Sequence, residues 1–262
     1  MSNWAAAREW THLACQPLSR AARANLPAVT DDSHSALLWN DRLELLCTAP
    51  LSRTVTLAIG FKPLRYVVVI NDEPGAEFEL VGTTGTDALA WLNDILRRRA
   101  LRPADVADMP YTLPDTRDWS SAVVLQPDVS RLGLAISTAH AALTTLVRSL
   151  PALHPGPSPV RLWPHHFDIA TLVQLKAGDP ESAPSIGSGY SPGDGNYAEP
   201  YLYCSPYPQP TAHDLPEAPD GWHWHTAGFV SLVYTDPPID AGAMGNAFRQ
   251  AFQVAMTLIP PT

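Results

Sequence analysis

The residues with chemical reach in this sequence are histidines and carboxylates gathered in its second half. Trp163-Pro164-His165-His166-Phe167-Asp168 sets two imidazoles beside a carboxylate, and Trp222-His223-Trp224-His225 supplies two more imidazoles. Between them, Ser191-Pro192-Gly193-Asp194-Gly195-Asn196 is a turn-forming stretch, and Glu199 is held extended by Pro200. In an extended strand, residues two apart share a face. Read as strand, His166 and Asp168 point one way, and His223 and His225 form a second pair. Imidazoles and carboxylates converging from different strands suit a divalent zinc, iron or manganese ion, with His166, Asp168, Glu199 and His225 as the expected ligands. Metal-free general acid–base work suits the same groups, with His165, His166, Asp168, Asp194 and Glu199 as the expected catalytic residues. Beside both stands a structural reading, in which the imidazoles pack and hydrogen-bond among aromatic rings and Ser191 to Asn196 forms only tight turns.

Other chemistries lack their residues. Gly187-Ser188-Gly189 is not a complete nucleophile elbow, and Cys204 lies in an aromatic stretch that favours burial of its thiol. The sequence has no phosphate-binding Walker loop, no dinucleotide glycine fingerprint and no H-E-x-x-H. Its three cysteines are odd in number and show no C-x-x-C spacing, against a disulfide framework or a cysteine-rich zinc site. The formal net charge of −9 argues against nucleic acid, and the one basic run, Arg97-Arg98-Arg99, reads as a solvated helix end. The first residues lack a basic, then apolar, leader, and no apolar run nears the roughly 18 residues of a membrane span. A cytoplasmic protein with no membrane partner is expected. A small polar molecule is the expected ligand, and the composition sets neither substrate nor oligomeric state.

The elements that must position these residues follow from periodicity. Trp4 to Leu26 reads as a helix interrupted by Pro17. Strands are expected over residues 36–48, 54–60, 66–70 and 77–81, then a helix over 86–99 capped by Thr86. The Pro- and Asp-rich stretch 101–119 reads as a connector between an N-terminal half, 1–100, and a C-terminal half, 120–262. The second half repeats the order: a helix over 132–150, strands over 160–175, 186–190, 200–207 and 229–234, and a helix over 241–259 stopped by Pro260-Pro261. Leu38-Trp39-Asn40-Asp41 lies over Leu162-Trp163-Pro164-His165, and Ile59-Gly60-Phe61 over Ser188-Gly189-Tyr190. The expected fold is α+β, with two similar halves, each a helix, an antiparallel four-strand meander and a helix, related by a pseudo-twofold.

Taken together, Trp163-Pro164-His165-His166-Phe167-Asp168, Ser191-Pro192-Gly193-Asp194, Glu199-Pro200-Tyr201 and Trp224-His225-Thr226-Ala227-Gly228-Phe229 resemble an uncharacterised bacterial family, known only as a domain of unknown function. The resemblance covers about residues 160 to 235, and the first half only loosely. It implies membership and no reaction, cofactor or catalytic residue. Two functions remain open. One is a small-molecule enzyme with a His/carboxylate site, metal-assisted or not. The other is a non-catalytic binding module whose contact surface is Tyr190, Tyr197, Tyr201, Tyr203, Trp222 and Trp224.

Overall fold

A computed structural model describes residues 3–106, 109–113, 128–153, 155–179 and 182–259. Parts of the expected connector, and the Pro260-Pro261 stop, lie outside the described residues. The chain divides into two compact units. Unit 1 is Met1–Leu134 together with Leu162–Phe167; unit 2 is Ala135–Arg161 with Asp168–Thr262. Helices and two antiparallel sheets make the protein α+β. No helix among the described residues is long and apolar enough to cross a membrane.

In unit 1, helix α1 (Asn3–Asn25) runs unbroken through Pro17. The proline has no N–H to give the carbonyl of Leu13, yet the helix continues because its apolar face, including Trp10, Ala14, Leu18 and Ala21, is buried. Strands β1 (Leu38–Asn40), β2 (Leu45–Cys47), β3 (Val55–Phe61), β4 (Leu64–Ile70) and β5 (Glu73–Glu79) form a meander in chain order. The apolar runs of β3 and β4 are nearly continuous and pair from Val55↔Ile70 to Phe61↔Leu64. Tyr66, 1% exposed, donates its hydroxyl hydrogen to the Ala14 carbonyl at 2.9 Å, tying the sheet to α1. Helix α2 (Gly85–Arg98) starts one residue earlier than expected because Thr84, not Thr86, is the cap, accepting from the Asp87 N–H at 3.0 Å.

Helix α3 (Asp128–Ser149) enters unit 2 at Ala135. It precedes β6 (Gly156–Pro157), β7 (Arg161–Trp163), β8 (Asp168–Gln174), β9 (Ser185–Ser191), β10 (Tyr201–Tyr207), β11 (His223–His225), β12 (Ser231–Thr235) and α4 (Ala241–Met256). The strands of unit 2 run in the order β11-β12-β10-β9-β8-β6. Register sets its two faces. Ile169, Ile186, Leu202, Cys204, Leu232 and Tyr234 share one face, on the side of Trp222 and Phe248 of α4. Asp168, Gly189, Tyr201, Tyr203, Val233, His223 and His225 share the other.

Two long strands expected from sequence are each broken by a turn. Residues 41–44 separate β1 from β2, and 164–167 separate β7 from β8. Each turn ends on a residue in the left-handed region, Glu44 at φ 51° and Phe167 at φ 57°. That conformation is unfavourable for a bulky side chain. At Phe167 it is offset by a ring only 2% exposed and stacked on His12 at 5.0 Å. In unit 1, Leu162 exchanges backbone hydrogen bonds of 2.9 and 2.8 Å with Leu37. Replacing Tyr66 with Phe should lower stability by about 0.5–1.5 kcal/mol, read by urea denaturation, since Ala14 loses one buried donor. An unchanged midpoint would show that this bond contributes nothing net.

Candidate functional site

The turn at 164–167 corrects the expected geometry of the histidine–aspartate pair. His165 and His166 lie in the turn within unit 1, whereas Asp168 opens β8 in unit 2. The two-residue strand period therefore does not connect His166 with Asp168. Pro164, lacking an N–H, and the left-handed Phe167 reset the phase between them.

In unit 1 these histidines meet others. The Pro164 carbonyl accepts from His12 Nε2 at 2.7 Å and from Gln16 Nε2 at 2.8 Å. A carbonyl only accepts, so His12 carries its proton on Nε2. Gln16 also accepts from the Tyr111 hydroxyl at 2.9 Å. The His165 ring lies 4.2 Å from that of His166 and 5.4 Å from that of Tyr111. Burial, then nearby positive charge from Arg8 and His166, lowers the His12 pKa to about 4. Burial, then His166, lowers that of His165 to about 4 as well. Both are neutral imidazoles at neutral pH. Neither His12 nor Gln16 stands out in the sequence, being 152 and 148 residues from the carbonyl they hold.

Unit 2 holds the other expected residues. Asp168 is buried, and its carboxylate accepts from the Tyr203 hydroxyl. Tyr203 reaches it by lying across Gly189, its directly opposite partner, where a Cβ would come within 2.5 Å of the tyrosine Cζ. Asp194 is consumed by its own loop. It accepts from the N–H groups of Asn196 at 2.7 Å and Tyr197 at 3.0 Å, and from the Tyr201 hydroxyl at 2.6 Å. Glu199 and His166 are exposed. The expected His223/His225 pair does share a face, and both rings bond to one hydroxyl, that of Tyr197. His225 Nε2 lies 2.9 Å from the Ala227 carbonyl, so that nitrogen donates to it, and Nδ1 lies 2.9 Å from the Tyr197 hydroxyl. The same hydroxyl lies 3.2 Å from His223 Nε2.

The rings form a continuous row. Tyr197 lies 5.0 Å from Tyr201, Tyr201 lies 6.3 Å from Tyr203, and His225 stacks on Phe229 at 4.3 Å. Phe229, the last residue of the Trp224–Phe229 motif, joins the row although it is not among the expected contact aromatics. Of the expected contact aromatics, Tyr190, Tyr201 and Trp222 are buried, and Trp224 donates its Nε1 hydrogen to Pro216 at 2.8 Å. Burial raises the pKa of Tyr201 and Tyr203, and their aspartate partners raise both further. Burial and then Asp194 raise that of Tyr197. All three phenols stay protonated at neutral pH.

Nucleophiles are absent from this row. All three cysteines are free and buried, and burial pushes the thiols of Cys47 and Cys204 up to about 12 and that of Cys15 further up. Ser188, fully buried in β9, hydrogen-bonds to Cys204 with no base beside it. Among the described residues no group of three or more His, Cys, Asp or Glu side chains is placed to hold a metal ion. Comparison with models of protein families, with curated proteins and with solved structures gives no match.

Two outcomes check this electrostatic picture. The folded pKa values of His12 and His165 lie below the ordinary 6.5, so the unfolded chain takes up protons first on acidification. Their contribution to stability is full above about 6.5 and is lost as the pH falls toward about 4. The His12→Gln/His165→Gln variant should show a shallower fall of thermal midpoint across that window, and an unchanged slope would count against the assignment. A thiol reagent should label none of the three cysteines promptly in the native protein and all three in denaturant; prompt native labelling would contradict their burial.

Proposed function

We propose that this protein is a non-catalytic binding protein, and that the polar face of the unit 2 sheet takes a small, neutral, polar molecule with one flat side, such as a sugar or a heteroaromatic ring. The observation that carries this reading is the Tyr197 hydroxyl held between His223 and His225, in line with the rings of Tyr201 and Tyr203. Such a row gives a stacking wall, and the phenol and imidazole groups give hydrogen-bonding edges. Asp168 and Asp194 are bound to tyrosine hydroxyls, which favours an uncharged ligand over a cation. The metal-assisted enzyme has less support, because Glu199 and His166 are exposed and no metal-binding group is gathered among the described residues.

The two units are also read here as copies of one ancestral helix–meander–helix unit. Supporting this, a glycine in each sheet is overlaid by the residue opposite it, Arg65 over Gly60 and Tyr203 over Gly189. The strands β1 and β7 are also each three residues long and followed by a turn ending in a left-handed residue, with the structural match offset by one residue from the sequence alignment, and both turns belong to unit 1. A cytoplasmic setting accords with the free thiols.

The test is a saturation-transfer NMR screen of monosaccharides and nucleosides against the untagged protein, followed by calorimetry. At least one probe should bind without turnover, and Tyr197→Phe should weaken it by about tenfold. Gly189→Val, which displaces Tyr203, should weaken it too. Conversion of the probe to product, or a stoichiometric metal in the purified protein, would restore the enzyme reading. Binding by no probe would overturn the proposed ligand class.

A further inference from the structure

Unit 1 contains a groove of about 430 Å³, walled on one side by α1. Leu13, Gln16, Pro17 and Arg20 line it, at spacings i, i+3, i+4 and i+7, which is one stripe of a helix. Leu89 of α2, Met109 and Leu113, which packs against Leu13, complete the apolar lining. The volume falls at the small end of the roughly 300–1,000 Å³ of ligand pockets. The lining is mostly apolar, with a few polar groups whose bonding state decides what could enter.

Most of those polar groups are already engaged. The Tyr111 hydroxyl donates to Gln16, and the Gln16 amide donates to the carbonyls of Pro164 at 2.8 Å and His12 at 3.1 Å. Burial pushes the Tyr111 phenol up to about 12, so it stays uncharged. Arg20 differs. Its neighbour Arg23 is ion-paired with Asp32 at 2.6 Å, whereas the Arg20 guanidinium has no hydrogen bond or ion pair among the described residues. A guanidinium presents a planar fork of donors that fits a carboxylate in a bidentate manner. A cation with no ion pair among the described residues, at a mostly apolar wall, suits a single negative charge on a greasy body, and the apolar lining offers little to a polyol or to a strongly hydrated phosphate.

We propose that this groove is a second, independent binding site, for a small monocarboxylic acid with an apolar body. Its carboxylate meets Arg20, and its body lies along Leu13, Pro17, Leu89 and Met109. The site requires nothing from the sheet of unit 2, so it stands whether or not the aromatic row binds a ligand.

Calorimetry of the full chain with octanoate, octanol and octylamine tests it. Octanoate should bind about tenfold or more tighter than octanol, and octylamine weakest of the three. Arg20→Gln should remove that preference, leaving octanol affinity within about twofold of the original. Arg20→Lys should retain part of it, and circular dichroism melts check that both variants remain folded. A Met109→Trp variant, which fills the groove, should weaken octanoate and octanol together. Equal affinity for octanoate and octanol, an octanoate affinity unmoved by Arg20→Gln, or no heat at about 1 mM octanoate, as would follow if other chain already fills the groove, would each overturn the proposal.

Discussion

A buried carboxylate has to be hydrogen-bonded, because stripping water from a charge costs more than burial of its surroundings returns. Asp168 is such a group, and the Tyr203 hydroxyl answers it by crossing an intervening strand. The crossing requires that β9 carry no side chain at the point of passage, and Gly189 meets that requirement. With Tyr203 laid flat, Tyr201 stands beside it and Tyr197 beside that, and the two imidazoles of β11 close the row. The character of the unit 2 face therefore descends from one charge-assisted bond and one missing Cβ. Burial, and then the aspartates beside them, hold the phenols protonated, so these tyrosines present dipoles and ring faces.

Unit 1 solves a related problem with the opposite chemistry. Its His12 and His165 are kept neutral chiefly by burial, and a single proline carbonyl receives two donors from α1. Where Tyr203 overlies Gly189 to reach an aspartate, Arg65 overlies Gly60 and pairs with the exposed Glu77 at 3.1 Å. The first arrangement buries a polar bond, whereas the second leaves an ion pair in solvent, where such pairs contribute little. Similar backbone geometry thus carries a chemical surface in one unit and an ordinary solvated one in the other.

The helices and the buried strands β3 and β4 were legible because their apolar periods are long and uninterrupted. So was the His223/His225 pair, which obeys the strand period within one short strand. The breaks at 41–44 and 164–167 were not legible. Neither carries glycine, and each is a short polar stretch between two apolar runs that together read as one strand. Losing the phase at Phe167 misplaced His166 relative to Asp168. Tyr203 and Gly189 lie on different strands, so their meeting depends on a register that local sequence does not encode. His12 and Arg20 read as an ordinary helix surface until the distant turn and the residues around Tyr111 are folded against it.

Unit 1 is discontinuous in sequence, and this has a consequence for biosynthesis. Its last piece, Leu162–Phe167, leaves the ribosome only after Ala135–Arg161, which belongs to the other unit. A nascent chain that has emerged only as far as Leu134 lacks the partner of Leu37, the carbonyl that His12 and Gln16 hold, and the ring that stacks on His12. The first unit to be translated therefore cannot be completed until the opening segment of its neighbour has been made. Its edge stays open while the opening helix of its neighbour is being made, and the two units are bound into one order of assembly by the path of the chain.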